Sequence, residues 1–384
     1  MILGRSIARA AAVLVLTTVS PCEAETLTIS PLIFASGGCT AVRFAQSWRL
    51  QYFSDAFRLA PDDPEVIREY ALTTQDAGLA LALWRRLLRT PTAPDAWRQQ
   101  AKERLEVATA LRGRESNRLL SAYRRYSIRM PAARAMDSRP LGWVLRVRIN
   151  GHTLRLLVDT GSRGILISRS QARRLGLETL APTLHAGFGD ERPRAGWIMA
   201  GRDLEIDGVE FENPIVEATS HEVAPGTDGL IGIGLFRDFV ITLDGPGHRL
   251  LLEPRGEADG RPANLRRAGH LLLASGGLGG RTMRVLLDSG AAFSILDGDP
   301  DAVTPDPVSL SGISGGVKAG RVMERPVLDS AGYRGPLQEA VYADLRRLGE
   351  DLGARVDAVA GFPLLRTLVT RIDLQRGRIE MRTR

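Results

Sequence analysis

Two short stretches of this 384-residue chain carry side chains able to give and take protons: Asp159-Thr160-Gly161 and Asp288-Ser289-Gly290. Singly, such triplets are ordinary turns, because Asp, Ser, Thr and Gly bond readily to nearby backbone. Here they stand 129 residues apart inside two versions of one passage, LRLLVDTGSRGILIS at 154–168 and MRVLLDSGAAFSILD at 283–297. Two carboxyl groups brought to one place cannot both ionise, so they share a proton and leave a base beside an acid. Such a pair can take a proton from water while giving one to a bound molecule.

Bringing the two turns together requires that each be held in the same way, and the repeat extends far enough to do so. Gly151 and Gly280, Asp228 and Asp357, Gly232 and Gly361, Leu235 and Leu364, Asp244 and Asp373, and Arg249 and Arg378 all keep the offset of 129. A long internal repeat of this kind marks two copies of one structural unit. In each copy a branched apolar run leads into the Asp, and a second follows a short turn, which predicts buried strands on either side of a tight loop. Asn150-Gly151 and Asp207-Gly208 predict hairpin turns. Helices are expected at 171–177, 235–239 and 363–367, and closing hairpins at 240–252 and 369–381. Two glycine-rich tips, Gly187-Phe188-Gly189 and Gly312-Ile313-Ser314-Gly315-Gly316, lie at a slightly shorter offset.

From Leu141 to the C terminus the chain resembles the aspartic peptidases of the retropepsin and pepsin kind. Four features carry the resemblance: the apolar pair before Asp-Thr/Ser-Gly; the glycine-rich tip; Leu230-Ile231-Gly232 and Val359-Ala360-Gly361 before short helices; and a closing hairpin with Asp244 or Asp373. Each occurs twice, in order. The resemblance implies an all-β bilobal acid-protease fold with two retropepsin-like β-barrel lobes, at 141–255 and 268–384. The chain is then its own pseudo-dimer, a monomer acting on a polypeptide substrate without cofactor or metal. Asp159 and Asp288 would be catalytic, supported by Thr160, Gly161, Ser162, Ser289, Gly290 and Ala291. Thr160 and Ser289 would each bond to the opposite loop. Gly187, Phe188, Gly189, Gly312, Ile313, Ser314 and Gly315 would form flaps over the substrate. Ser162 follows the first triplet as in pepsins, and Ala291 the second as in retropepsins. A Ser162 hydroxyl donating to Asp159 would favour its charged form, making Asp159 the resting base and Asp288 the proton holder.

Other chemistries fit poorly. Gly312-Ile313-Ser314-Gly315-Gly316 has the spacing of a serine-nucleophile elbow, but no histidine follows His270 to complete a triad in the usual order. The five histidines, His152, His185, His221, His248 and His270, show no metal-ligand spacing and are expected as surface or turn residues, and Gly229, Gly232 and Gly234 form no dinucleotide fingerprint. The net charge of +7 sits near the N terminus, since residues 141–384 hold 31 basic and 31 acidic side chains. No basic stripe interleaved with aromatics suggests nucleic acid.

Residues 1–24, with Arg5 and Arg9 before an apolar run and a small-residue site ending at Ala24, predict a signal peptide and hence export to periplasm or medium. Val19 to Cys22 also resembles a lipoprotein signal, though Pro21 stands where a small residue is wanted. The apolar run is too short to span a bilayer. Apolar spacings of three and four at 41–112, broken at Pro61, Pro64, Pro91 and Pro94, predict helices resembling tetratricopeptide-type repeats, a surface for a protein partner. The whole is thus multidomain, a small all-α helical-repeat region followed by the β lobes. Residues 113–140, rich in arginine, are expected as a linker or as a cationic segment lying over the cleft. Two functions remain open: an exported aspartic endopeptidase, and an inactive peptide-binding protein built on the same fold with a helical interaction module.

Overall fold

The computed structural model describes residues 54–384, apart from 75, 135–139, 186–193, 225, 258–259, 269, 300–307, 312–315, 323–325, 347 and 350–354. The expected signal peptide, the first glycine-rich tip and 312–315 of the second lie outside the described residues. Two compact units divide the chain, one of residues 1–112 and 347–355, the other of 113–346 and 356–384.

In the first unit, helices span Pro64–Thr73, Ala77–Arg89 and Asp95–Ala110. Asp63 starts the first by accepting the Glu65 and Val66 amides, with Pro64 in the first turn, and Asp76 starts the second by accepting the Leu79 amide. Both are favourable N-caps, since each satisfies amides that have no partner within the helix. Ile67, Leu83, Trp84, Leu87 and Ala101 bury the shared face. Arg68 lies over the Trp97 ring. These are three helices of unequal length on one apolar cluster; the tetratricopeptide likeness rests on the sequence alone. Among the described residues, no helix is long and apolar enough to cross a membrane.

The second unit is all-β and bilobal, two curled half-barrel sheets joined by a third. In the first lobe, His152–Val158 runs into Asp159; Gly229–Ile231 lies parallel to it and antiparallel to Ile165–Ser168. In the second, Arg281–Asp288 ends at the second Asp; Ala358–Gly361 lies parallel to it and antiparallel to Ser294–Asp297. The registers match: Val158 faces Ile231, and Leu287 faces Ala360. Asp228 and Asp357 fix that register identically, each accepting a backbone amide across the pair, from Arg155 and from Arg284, at 2.8 Å. The hairpin turns form at the expected Asn150-Gly151 and Asp207-Gly208, where all four residues take positive φ, the conformation that two-residue hairpins of this type require.

A five-stranded sheet joins the lobes. Val240–Asp244 pairs antiparallel with Val369–Asp373, Ile241 facing Ile372 and Leu243 facing Thr370. Exchanging the two halves maps this register onto itself, so the approximate two-fold axis passes through the Thr242 and Arg371 pair. The short helices differ somewhat from expectation: Arg169–Arg174 precedes the Gly176 turn, the one after Gly232 is a 3₁₀ turn at Ile233–Phe236, and the last is Phe362–Leu365.

The described part of residues 113–140 forms strands of the β unit rather than a linker. Arg118–Leu119 pairs with Val209–Glu212, and Tyr126–Arg129 forms the outer strand of the joining sheet against Arg249–Glu253. Ala132–Arg134 pairs with Pro140–Ile149. The arginines face acidic partners on the lobe, Arg114 with Glu178, Arg118 with Glu212 and Arg125 with Glu253. Tyr126, Ile128 and Met130 enter the core. The β unit therefore begins at Gly113 rather than Leu141.

Candidate active site

The structure brings the two Asp turns face to face. Thr160 and Ser289 lock them: the Thr160 amide donates to Ser289 Oγ at 3.1 Å and the Ser289 amide to Thr160 Oγ1 at 3.0 Å. Each hydroxyl then donates across to the strand that feeds the opposite turn, Thr160 to the Leu287 carbonyl at 2.9 Å and Ser289 to the Val158 carbonyl at 2.8 Å. Both side chains are buried, so every one of these bonds is shielded from water and any lost partner would leave an expensive unpaired polar group.

The glycines follow from the same closeness. A Cβ on Gly161 would stand 3.1 Å from Asp159 Oδ1 and 3.2 Å from Asp288 Oδ1, and one on Gly290 would stand 2.7 Å from the Asp159 carboxyl carbon. One carboxyl oxygen from each acid therefore lies within 3.2 Å of one point. Two further glycines seat the turns from behind. A Cβ on Gly232 would stand 2.3 Å from the Ser162 carbonyl oxygen, and one on Gly361 would stand 2.1 Å from that of Phe293. Gly232→Ala or Gly361→Ala must push the turn away, and each is expected to lower stability by roughly 1–3 kcal/mol, as overpacking does. Urea unfolding measures this, and an unchanged midpoint would show that the turns have slack.

Electrostatics shift both carboxyls. Burial and the neighbouring Asp288 push Asp159 well above the usual carboxylate range, against the favourable Gly161 and Ser162 amides. Burial also raises Asp288, but the Asp159 side chain and the Gly290 and Ala291 amides counteract that. These two amides reach Asp288 Oδ1 at 2.9 and 3.1 Å. Both carboxyls thus lie above the usual range and hold one proton between them as a coupled pair. The order expected from Ser162 loses its support. Its hydroxyl turns away and donates to the Gly164 carbonyl at 3.2 Å, so it brings nothing to Asp159.

Of the expected flap residues, Gly187, Phe188, Gly189, Gly312, Ile313, Ser314 and Gly315 lie outside the described residues. Their hairpin stems are formed: Glu178–His185 against Arg194–Ala200, and Val308–Ser311 against Gly316–Arg321. At the tip end of the first stem, sequence reasoning missed a group of polar residues. His185 Nδ1 stands 3.2 Å from Glu217. Burial opposes charge on Glu217, yet His185, Arg163 and His270 together hold it below the usual range. His270, expected as a surface or turn residue, places Nε2 2.9 Å from the Gly161 carbonyl. Among the described residues no group of three or more His, Cys, Asp or Glu could hold a metal ion.

A family model described as aspartyl protease matches residues 145–235, which spans the first Asp turn and ends in the 3₁₀ turn after Gly232. No curated protein matches the chain by sequence. The solved structures similar to it include the aspartic proteinase from Irpex lacteus, at 12% identity over 67% of this chain and 97% of that one, with a TM-score of 0.43.

Proposed function

We propose that this chain is an exported aspartic endopeptidase that hydrolyses peptide bonds between Asp159 and Asp288. The observation that carries this reading is the carboxyl pair itself: two acids side by side, both raised by burial. A binding protein has no use for such a pair, because two adjacent carboxyls cost stability and give a peptide little to hold. In the proposed reaction Asp288 takes a proton from a water as its oxygen attacks the scissile carbonyl carbon, and Asp159 gives its proton to the carbonyl oxygen. The tetrahedral intermediate collapses when the amide nitrogen takes the proton held on Asp288 and the C–N bond breaks. Asp159 recovers its proton from the intermediate's hydroxyl as the C=O bond re-forms and the amine departs. Atoms and charges return to their starting state, as general acid–base catalysis requires. The helical unit is read as the docking surface for a protein partner.

Cleavage of a denatured protein across roughly pH 3 to 7, with inhibition by pepstatin, tests the reading. No cleavage by the full chain at any pH would leave the inactive peptide-binding alternative. The expected profile is bell-shaped, since turnover needs one proton on the pair. Its acid limb reports the pair gaining a second proton, and its alkaline limb reports loss of the proton the pair shares. Both ionisations are raised by burial, so both limbs should lie above the usual aspartate value of about 3.9. Because its hydroxyl is committed to Gly164, Ser162→Ala should leave the acid limb in place. A shift of that limb toward alkaline pH would show that Ser162 does serve Asp159.

A further inference from the structure

The approximate two-fold symmetry of the site breaks at one side chain that nothing above uses. Under the 129-residue offset, Gly161 corresponds to Gly290 and His270 to Leu141. Leu141 lies near the start of Pro140–Ile149 and His270 just before Leu271–Leu278. A Cβ on Gly142, beside Leu141, would stand 3.4 Å from the Ser289 carbonyl oxygen. In the first half of the symmetry the neighbour is apolar and donates nothing. In the second it is His270, whose Nε2 reaches the Gly161 carbonyl at 2.9 Å. A carbonyl only accepts, so Nε2 carries the hydrogen and the tautomer is fixed.

We infer that His270 is a positioning residue for Asp159, acting through the Gly161–Ser162 peptide and making the two acids inequivalent; this rests on the peptidase reading of the site. The Gly161 amide donates to Asp159 Oδ1 at 2.7 Å, and the Ser162 amide closes the same turn on the Asp159 backbone carbonyl at 3.1 Å. A hydrogen bond given to the Gly161 carbonyl polarises the Gly161–Ser162 peptide and strengthens the donor that closes the turn, and so holds Gly161 where its own amide reaches the Asp159 carboxyl. His270 therefore moderates a carboxyl that burial and Asp288 drive upward. It does so while neutral: burial, Arg163 and Arg267 push its own ionisation down to about 4, against the Gly161 carbonyl and Glu217. The charged groups facing it are Arg163, Glu217 and Arg267, with His185 behind Glu217.

The test compares His270→Leu, which installs the residue of the symmetry mate, with His270→Gln, whose amide can replace the Nε2 donor. The readout is the titration of ¹³C-labelled aspartate side chains in the full chain, with Asp159 and Asp288 assigned from their Asn variants. His270→Leu should move the pair's second ionisation to higher pH by roughly half a unit or more, and Gln should restore most of it. In turnover, Leu should lower kcat by roughly tenfold with little change in KM, and Gln should recover it. An unmoved titration in the Leu variant overturns the inference, and so does a Gln variant shifted as far as Leu. Unfolding of the Leu variant alone would leave the Gln titration to decide, since loss of the donor's effect there would also overturn it. Should the wild-type chain cleave nothing, the peptidase reading falls, whereas the aspartate titration still settles the role of His270.

Discussion

Asp159→Asn and Asp288→Asn are each expected to cost at least about a thousandfold in kcat, the usual scale for removing a general acid or base. An amide can neither take a proton from water nor give one to a developing oxyanion, and the remaining Asp holds only half of the pair. The same substitutions should leave the fold intact and raise thermal stability at neutral pH. A carboxyl whose ionisation is raised on folding keeps its proton in the native state after the unfolded chain has lost it. Stability then falls as pH rises from the ordinary aspartate value of about 3.9 through the raised native value, and stays low above it. Burial raises both carboxyls, so both Asp159→Asn and Asp288→Asn should gain. Melting curves at about pH 4 and pH 7 separate the two effects, because the gain should shrink at the acid end. A variant that loses activity and also loses stability at neutral pH would point to a structural pair. One that keeps near-wild-type turnover would remove its Asp from the mechanism.

Much of this site was legible because the repeat is constant. An equal offset from Gly151 to Arg249 means that the two Asp turns occupy one position in two copies, and a two-fold arrangement then brings them together. The bonds of Thr160 and Ser289 follow from that symmetry. What escaped the sequence lies where the symmetry is broken. The Ser162 hydroxyl goes to the Gly164 carbonyl, a partner set by the path of the loop that residue type does not encode. His270 carried no signal because its partner is a backbone carbonyl 109 residues away. His185 and Glu217 sit on strands separated by another, Arg194–Ala200, and only folding joins them. The strand Tyr126–Arg129 did leave a trace, an alternation of buried Tyr126, Ile128 and Met130 with exposed Ser127 and Arg129. The surrounding arginines hid it, because a basic segment reads as solvated until its acidic partners are known.

That strand sets the second large effect, the outcome of shortening the chain. A product starting at Gly113 keeps every strand of the β unit, whereas one starting at Leu141 loses Tyr126–Arg129 from the joining sheet. Tyr126, Ile128 and Met130 are 6%, 2% and 0% exposed, and burial of each such side chain contributes about 1.5–3 kcal/mol. The loss is therefore roughly 5–9 kcal/mol before the backbone ladder is counted, comparable with the whole stability of a typical domain at about 5–15 kcal/mol. The cut also bares Arg249–Glu253 as an edge whose Leu250 and Leu252 are fully buried in the intact unit, and an open apolar edge invites pairing with another chain. Residues 141–384 alone are expected to be insoluble or unfolded, with residues 113–384 giving a cooperative β-sheet transition in urea. Ile128→Asp in the full chain should reproduce much of the damage by putting a charge into that core. Equal urea midpoints for the two truncated products would show that the strand is dispensable and that the β unit does begin at Leu141.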